Sequence, residues 1–88
     1  MVVKFYVNYD EEKVASIAEF EEYVAGRTEE LLDDNMFLDT FLEDYSPAEI
    51  FRMSDEDRLA LHNEFVETAK RNARYDMEEI WCEEWIDA

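Results

Sequence analysis

SIAEFEEYVAGRTEELLDD, residues 16 to 34, is the stretch on which the fold turns. It opens with Ser16-Ile17-Ala18-Glu19, a capping box in which the Ser hydroxyl accepts from the Glu19 amide and the Glu carboxylate reaches back, so a helix begins here. At about 100° per residue, Ile17, Phe20, Val24 and Leu31 fall within about 60° of one another, while Glu19, Glu22, Glu29 and Asp33 gather on the opposite side. This phase continues across Gly26, the only glycine. Glycine in a helix interior costs about 1 kcal/mol relative to alanine, so a break at Gly26-Arg27-Thr28 with Thr28 as a new cap is the alternative. The unbroken phase favours one helix, bent if anywhere at Gly26.

Upstream, Val3, Phe5, Val7 and Tyr9 alternate with Lys4, Tyr6 and Asn8, the period of a strand with one buried face, so residues 2 to 9 read as β with Phe5 in the core. After the polar turn at residues 10 to 13, only Val14 and Ala15 remain to pair with it, which leaves the strand short of an internal partner. Downstream, Phe37, Leu38, Phe41, Leu42 and Tyr45 form a new helical stripe over about 35 to 44. Ser46-Pro47-Ala48-Glu49 starts a short helix ending near Met53, with Ser as cap and Pro at the first helical position. Ser54-Asp55-Glu56-Asp57 starts another, along which Leu59, His62, Val66, Ala69, Ala73, Met77 and Ile80 keep one phase without Gly or Pro. Asp76 and Glu79 offer an alternative cap for a separate C-terminal helix carrying Trp81 and Trp85. The expected fold is mostly α (α+β): one N-terminal strand followed by three to five helices in a small single-domain bundle spanning residues 1–88.

Charge is distributed unevenly. The 88 residues carry a formal −17, and ten acids opposed only by Arg27 lie between Ser16 and Tyr45. Six more acids and no cation lie between Asp76 and Ala88, whereas Arg52, Arg58, Lys70, Arg71 and Arg74 nearly neutralise residues 46 to 75. Such a surface repels nucleic acid and anionic membranes and suits a positively charged partner. With 48% hydrophobic residues and thirteen aromatics the chain is too apolar for a disordered acidic tail. One cysteine, Cys82, excludes an intrachain disulfide and a cysteine-based zinc site, in keeping with a reducing cytoplasm. No export signal or membrane-spanning run is read from the sequence.

Few residues suggest catalysis. His62 lies on an apolar stripe and reads as a packed core histidine. Cys82 is flanked by Trp81 and Glu83, and an acidic neighbourhood does not activate a thiol as a nucleophile. Calcium is the obvious ligand for many carboxylates, but the run from Asp55 places Ala60 where a calcium loop needs Gly and Val66 where it needs Glu. No enzyme activity, cofactor or metal is therefore expected.

The acid face is more informative. Carboxylates at helical spacings of three and four stand about 5 to 6 Å apart, comparable with phosphates along one DNA strand, about 6 to 7 Å apart. In this respect the chain resembles the small acidic proteins that phages and other mobile elements use as DNA mimics, including antirestriction and some anti-CRISPR proteins. The resemblance is one of composition: the acid runs Glu19 to Asp44 and Asp76 to Asp87, small size, helical content and scarcity of Gly and Pro. It implies a stoichiometric inhibitor that occupies the DNA- or RNA-binding groove of a host defence nuclease. The expected contacts are Glu19, Glu22, Glu29, Glu30, Asp33, Asp34, Asp39, Glu43 and Asp44, with Glu78, Glu79, Glu83, Trp81 and Trp85 from the C-terminal run. The alternative is a helical adaptor that binds a protein through exposed aromatics. An unpaired strand at residues 2–9 would also allow two copies to join edge to edge.

Overall fold

A computed structural model describes residues 1–87 as seven elements: β1 (Val2–Asn8), β2 (Lys13–Ala15), α1 (Ile17–Leu32), α2 (Asn35–Phe41), α3 (Pro47–Arg52), α4 (Asp55–Ile80) and β3 (Cys82–Asp87). It is a small mixed α+β fold of four helices and a three-stranded antiparallel sheet. Every helix starts with a side-chain cap. Ser16 Oγ accepts from the Glu19 amide at 3.1 Å while Glu19 accepts from the Ser16 amide at 3.3 Å, completing the capping box. Ser46 and Ser54 accept from the third residue of α3 and α4. α1 runs unbroken through Gly26, because its apolar face is held continuously against the core and tertiary packing outweighs the local cost of glycine.

The sheet corrects three expectations. β1 is the middle strand, in the order β2-β1-β3, so it is not isolated, and simple edge-to-edge pairing through residues 2–9 has lost its premise. Residues 82 to 87 form a strand rather than a C-terminal helix, with Val7 opposite Cys82 and Val2 opposite Asp87. The buried face is also the other one. Tyr6 and Asn8 point into the core, Tyr6 stacking on Phe20 with ring centroids 3.8 Å apart, whereas Val3 and Tyr9 are exposed and Phe5 is half-buried. Strand parity is decided by which side the helices cover, and both parities here offer an aromatic, so alternation alone did not distinguish them. Asn8 is buried without penalty because its Oδ1 accepts from the Glu11 amide, closing the β1–β2 turn. Within that turn Glu12 adopts φ 54°, a left-handed conformation unfavourable for a residue with a Cβ.

The core joins Tyr6, Ala15, Phe20, Val24, Leu31, Ala69, Ala73 and Trp81. α1 buries Phe20, Val24, Thr28 and Leu31; the Thr28 hydroxyl donates to the Val24 carbonyl. Ile17, expected on that face, is 46% exposed. α4 buries Phe65, Ala69 and Ala73, and the two small residues let α1 approach closely. The expected stripe holds only in the middle of the helix: Ala69 and Ala73 are buried and Met77 packs against the core, whereas Leu59, His62 and Ile80 towards its ends are exposed, so His62 is not a core histidine. The molecule is elongated, with axes of 57 × 26 × 16 Å and a radius of gyration of 17.4 Å, against about 12 Å for a compact domain of this length. Among the described residues, no helix is long and apolar enough to cross a membrane.

Candidate functional site

α1 sets the geometry of the acid surface. Its buried residues recur at three- and four-residue intervals, so Glu22, Glu29 and Asp33 fall on the directly opposite stripe and are exposed. At a rise of about 1.5 Å per residue, Glu29 and Asp33 are about 6 Å apart along the axis and Glu22 stands about 10 Å before Glu29. Asp39, Glu43 and Asp44 continue the exposed acid on α2 and the turn after it.

Most cations are already engaged with acids of the same chain. Arg27 bridges Glu30 at 2.9 Å and Asp76 at 3.1 Å, and Arg74 pairs with Glu21. These contacts staple α1 to α4 on either side of the buried stripe. Hydrogen bonds from Arg27, first to Glu30 and then to Asp76, raise its pKa, and the bond to Glu21 does the same for Arg74. Lys4 pairs with Glu83, Lys13 with Glu11, Arg58 with Asp55 and Lys70 with Glu67. Thus Arg58 and Lys70 pair within their own helix, and only Arg74 of the cations between Arg52 and Arg74 is seen to pair with an acid of α1. Such exposed pairs contribute under about 1 kcal/mol each. Their consequence is distribution: among the described residues, Glu22, Glu29, Asp33, Asp39, Glu43 and Asp44 have no ion pair.

Helix ends sharpen this contrast. α1 ends with Glu29 and Glu30 in its last turns and α4 with Glu78 and Glu79, and neither helix has a basic residue in its last turn. Carboxylates there oppose the helix dipole by roughly 0.3 to 1 kcal/mol each. Two expected contacts have local duties instead. Asp34 Oδ1 accepts from the Met36 and Phe37 amides as the cap of α2, and Glu19 completes the capping box.

The structure brings Glu22, Glu30 and Trp81 to one cleft of about 430 Å³, with Tyr23, Arg27 and Lys13 among its other walls. Trp81 is buried at 8% and stacks on Tyr23 at 5.3 Å, so its main role is in the core. Trp85 is 60% exposed on β3, with Lys4 over its ring. Glu83 is engaged by Lys4, and Glu78 and Glu79 stand at the exposed end of α4. Sequence reading missed Tyr23 as a cleft wall, because its ring leaves the α1 core stripe to meet a tryptophan 58 residues away. Among the described residues, no three His, Cys, Asp or Glu side chains converge as a metal site would require. No protein-family model, curated protein or solved structure matches this chain.

Proposed function

We propose that this chain is a non-enzymatic inhibitor whose carboxylates stand in for nucleic-acid phosphates and block the DNA- or RNA-binding groove of a host defence nuclease, a CRISPR effector or restriction enzyme, in the host cytoplasm. The observation that supports this most is the row Glu22, Glu29 and Asp33. It lies opposite the core with no ion pair among the described residues, on a helix whose last turn opposes its own dipole. A domain of this size has little stability to spare, and retaining like charges at helical spacing costs a few tenths of a kcal/mol per pair. The elongated shape, 57 Å in its long dimension, suits a groove made for a nucleic-acid strand. Contacts would come from Glu22, Glu29, Asp33, Asp39, Glu43 and Asp44. Glu78 and Glu79 extend them, and Glu19, Glu30 and Asp34 contribute charge from positions they already hold structurally.

Affinity capture of host proteins at low salt tests this, alongside a chain carrying Glu22→Lys, Glu29→Lys and Asp33→Lys. The expected result is a nuclease or other nucleic-acid-binding protein retained by the native chain alone, released by about 0.5 M NaCl and displaced by its own DNA or RNA. A salt-resistant partner retained equally by both chains would refute it. That outcome belongs to the second reading, a helical adaptor, which the 60% exposure of Trp85 favours; Trp85→Ala would then abolish capture.

A further inference from the structure

β3 is one edge of the sheet: in the order β2-β1-β3 it pairs with β1 alone, from Val2 opposite Asp87 to Val7 opposite Cys82. Alternate residues of an edge strand point their N–H and C=O groups away from the sheet, and no further strand among the described residues lies beside this one. Over six residues the open edge runs for about 20 Å. Its side chains include Glu83, Glu84 and Asp87 and no cation, and Asp76, Glu78 and Glu79 lie just upstream. The opposite edge differs. β2 consists of Lys13, Val14 and Ala15, and β1 continues beyond that pairing as Val2, Val3, Lys4 and Phe5, so that side bears lysines and no acid. Charge thus separates a long acidic edge from a short basic one.

We infer that the β3 edge takes up an extended, basic segment of a partner protein, which joins the sheet as a fourth strand. The open main-chain groups select an extended backbone, because a strand presents N–H and C=O groups at the matching spacing. Charge selects a basic one, since opposite charges on neighbouring strands stabilise their pairing and like charges oppose it. A second copy is disfavoured on the same ground. β3 against β3 would gather the acids of both strands on one ribbon between chains of −17 each, and β3 against the other edge would find only three residues in β2. The acids therefore guard the edge against self-association while leaving it open to Lys and Arg. Glu83, Trp85 and Asp87 lie on the side of the sheet that bears Tyr6, and Glu84 and Ile86 on the other, because paired residues share a face. Trp85 is 60% exposed, and Ile86, opposite exposed Val3, is 51% exposed, so each side sets one apolar residue among acids and suits a segment that mixes basic with apolar residues. Lys4 of β1 already lies over the Trp85 ring at 5.7 Å, a contact that a Lys or Arg on the other flank would repeat. The inference rests on β3 and its charge, not on what the acid row of α1 binds.

A capped peptide of about eight residues alternating Lys with Val and Thr tests the inference. Its control is the same peptide N-methylated at two adjacent central amides, one on each of its edges, which keeps the charge and removes the pairing. At about 0.15 M NaCl, the first peptide is expected to slow amide exchange of the native chain at least fivefold at alternate residues of β3 and to leave α1 unchanged. The N-methylated peptide should bind at least tenfold more weakly. The chain carrying Glu22→Lys, Glu29→Lys and Asp33→Lys should show the same protection of β3, so failure of this edge and failure of the α1 row as a phosphate mimic are told apart. Equal binding of the two peptides would overturn the inference, as would protection confined to α1 or no binding of either peptide. Protection of β3 that grows with the concentration of the chain alone would overturn it in favour of a second copy.

Discussion

The half of α4 that follows Phe65 lies against α1 and supplies Ala69 and Ala73 to the core, whereas Phe65 itself meets the Phe37 and Phe41 rings of α2 at 5.6 and 5.2 Å, and neither α2 nor α3 has a buried residue. The local signals are equally good in both regions: α1 and α3 each start at a serine whose hydroxyl accepts from the third residue of the helix. Their surroundings differ. α1 covers four buried side chains, while α3 leaves Phe51 78% exposed and reaches the body mainly through half-buried Ile50. A cap therefore decides that a helix starts, and burial decides how firmly it is held. The expected consequence is a molecule of uneven stability, firm around α1, the sheet and the second half of α4, and easily opened at α2 and α3.

Phe20→Ala strikes the firm region and should have the largest effect. This side chain is fully buried and stacked on Tyr6, so its loss should cost about 3 to 5 kcal/mol and unfold much of the population at moderate denaturant. Phe51→Ala, at an exposed position, should change stability by under about 0.5 kcal/mol; a comparable loss in denaturant titrations of both variants would erase the contrast between the regions.

Ser46→Ala should act more locally. Loss of the α3 cap removes roughly 1 kcal/mol from that helix. Amide exchange in α3 should accelerate about fivefold while protection of α1 stays unchanged. Uniform acceleration across all helices would instead mean that the molecule opens as one unit.

Gly26→Ala should raise stability by about 0.5 to 1 kcal/mol. A Cβ at Gly26 meets no atom within 4 Å, so helix propensity is gained without a clash. A lower melting temperature would show that α1 bends there in solution.

The smallest effect concerns Tyr9, whose hydroxyl donates to Glu84 Oε1 at 2.5 Å and joins the end of β1 to β3. That hydrogen bond is the main cause that raises the Tyr9 pKa above its ordinary value. Because the folded pKa is the higher one, the contribution is fully present below the unfolded value of about 10 and is lost as pH rises through the folded pKa. Melting of the native chain and Tyr9→Phe, compared at about pH 8 and about pH 11, should show a slight native advantage only at the lower pH. An advantage that grew with pH would contradict this sign.

The helices were largely legible because their information is local. Ser16 with Glu19, Ser46 with Pro47, and Ser54 with three following acids each write a start into four residues, and a long stretch without Gly or Pro wrote α4. The acid surface was legible for the same reason, since the stripe of α1 fixes where Glu22, Glu29 and Asp33 point. β3 was not. Its residues Cys82 to Asp87 show no clear apolar alternation, and they become a strand only because β1, more than seventy residues earlier, supplies the pairing edge. Trp81, expected among the contacts, is instead a core residue at 8% exposure, stacked on Tyr23.

The amino-acid sequence by itself determined the helix starts, the net charge of −17 and its concentration in two runs, because caps, periodicity and charge depend on neighbours within one or two turns. Only the tertiary structure decided which side of β1 is buried, which acids are neutralised by Arg27 and Arg74, and that an apolar sheet face is left bare opposite the helices. Those outcomes depend on which distant segments meet, and a strand with aromatics on both faces accepts either side until a helix covers one of them.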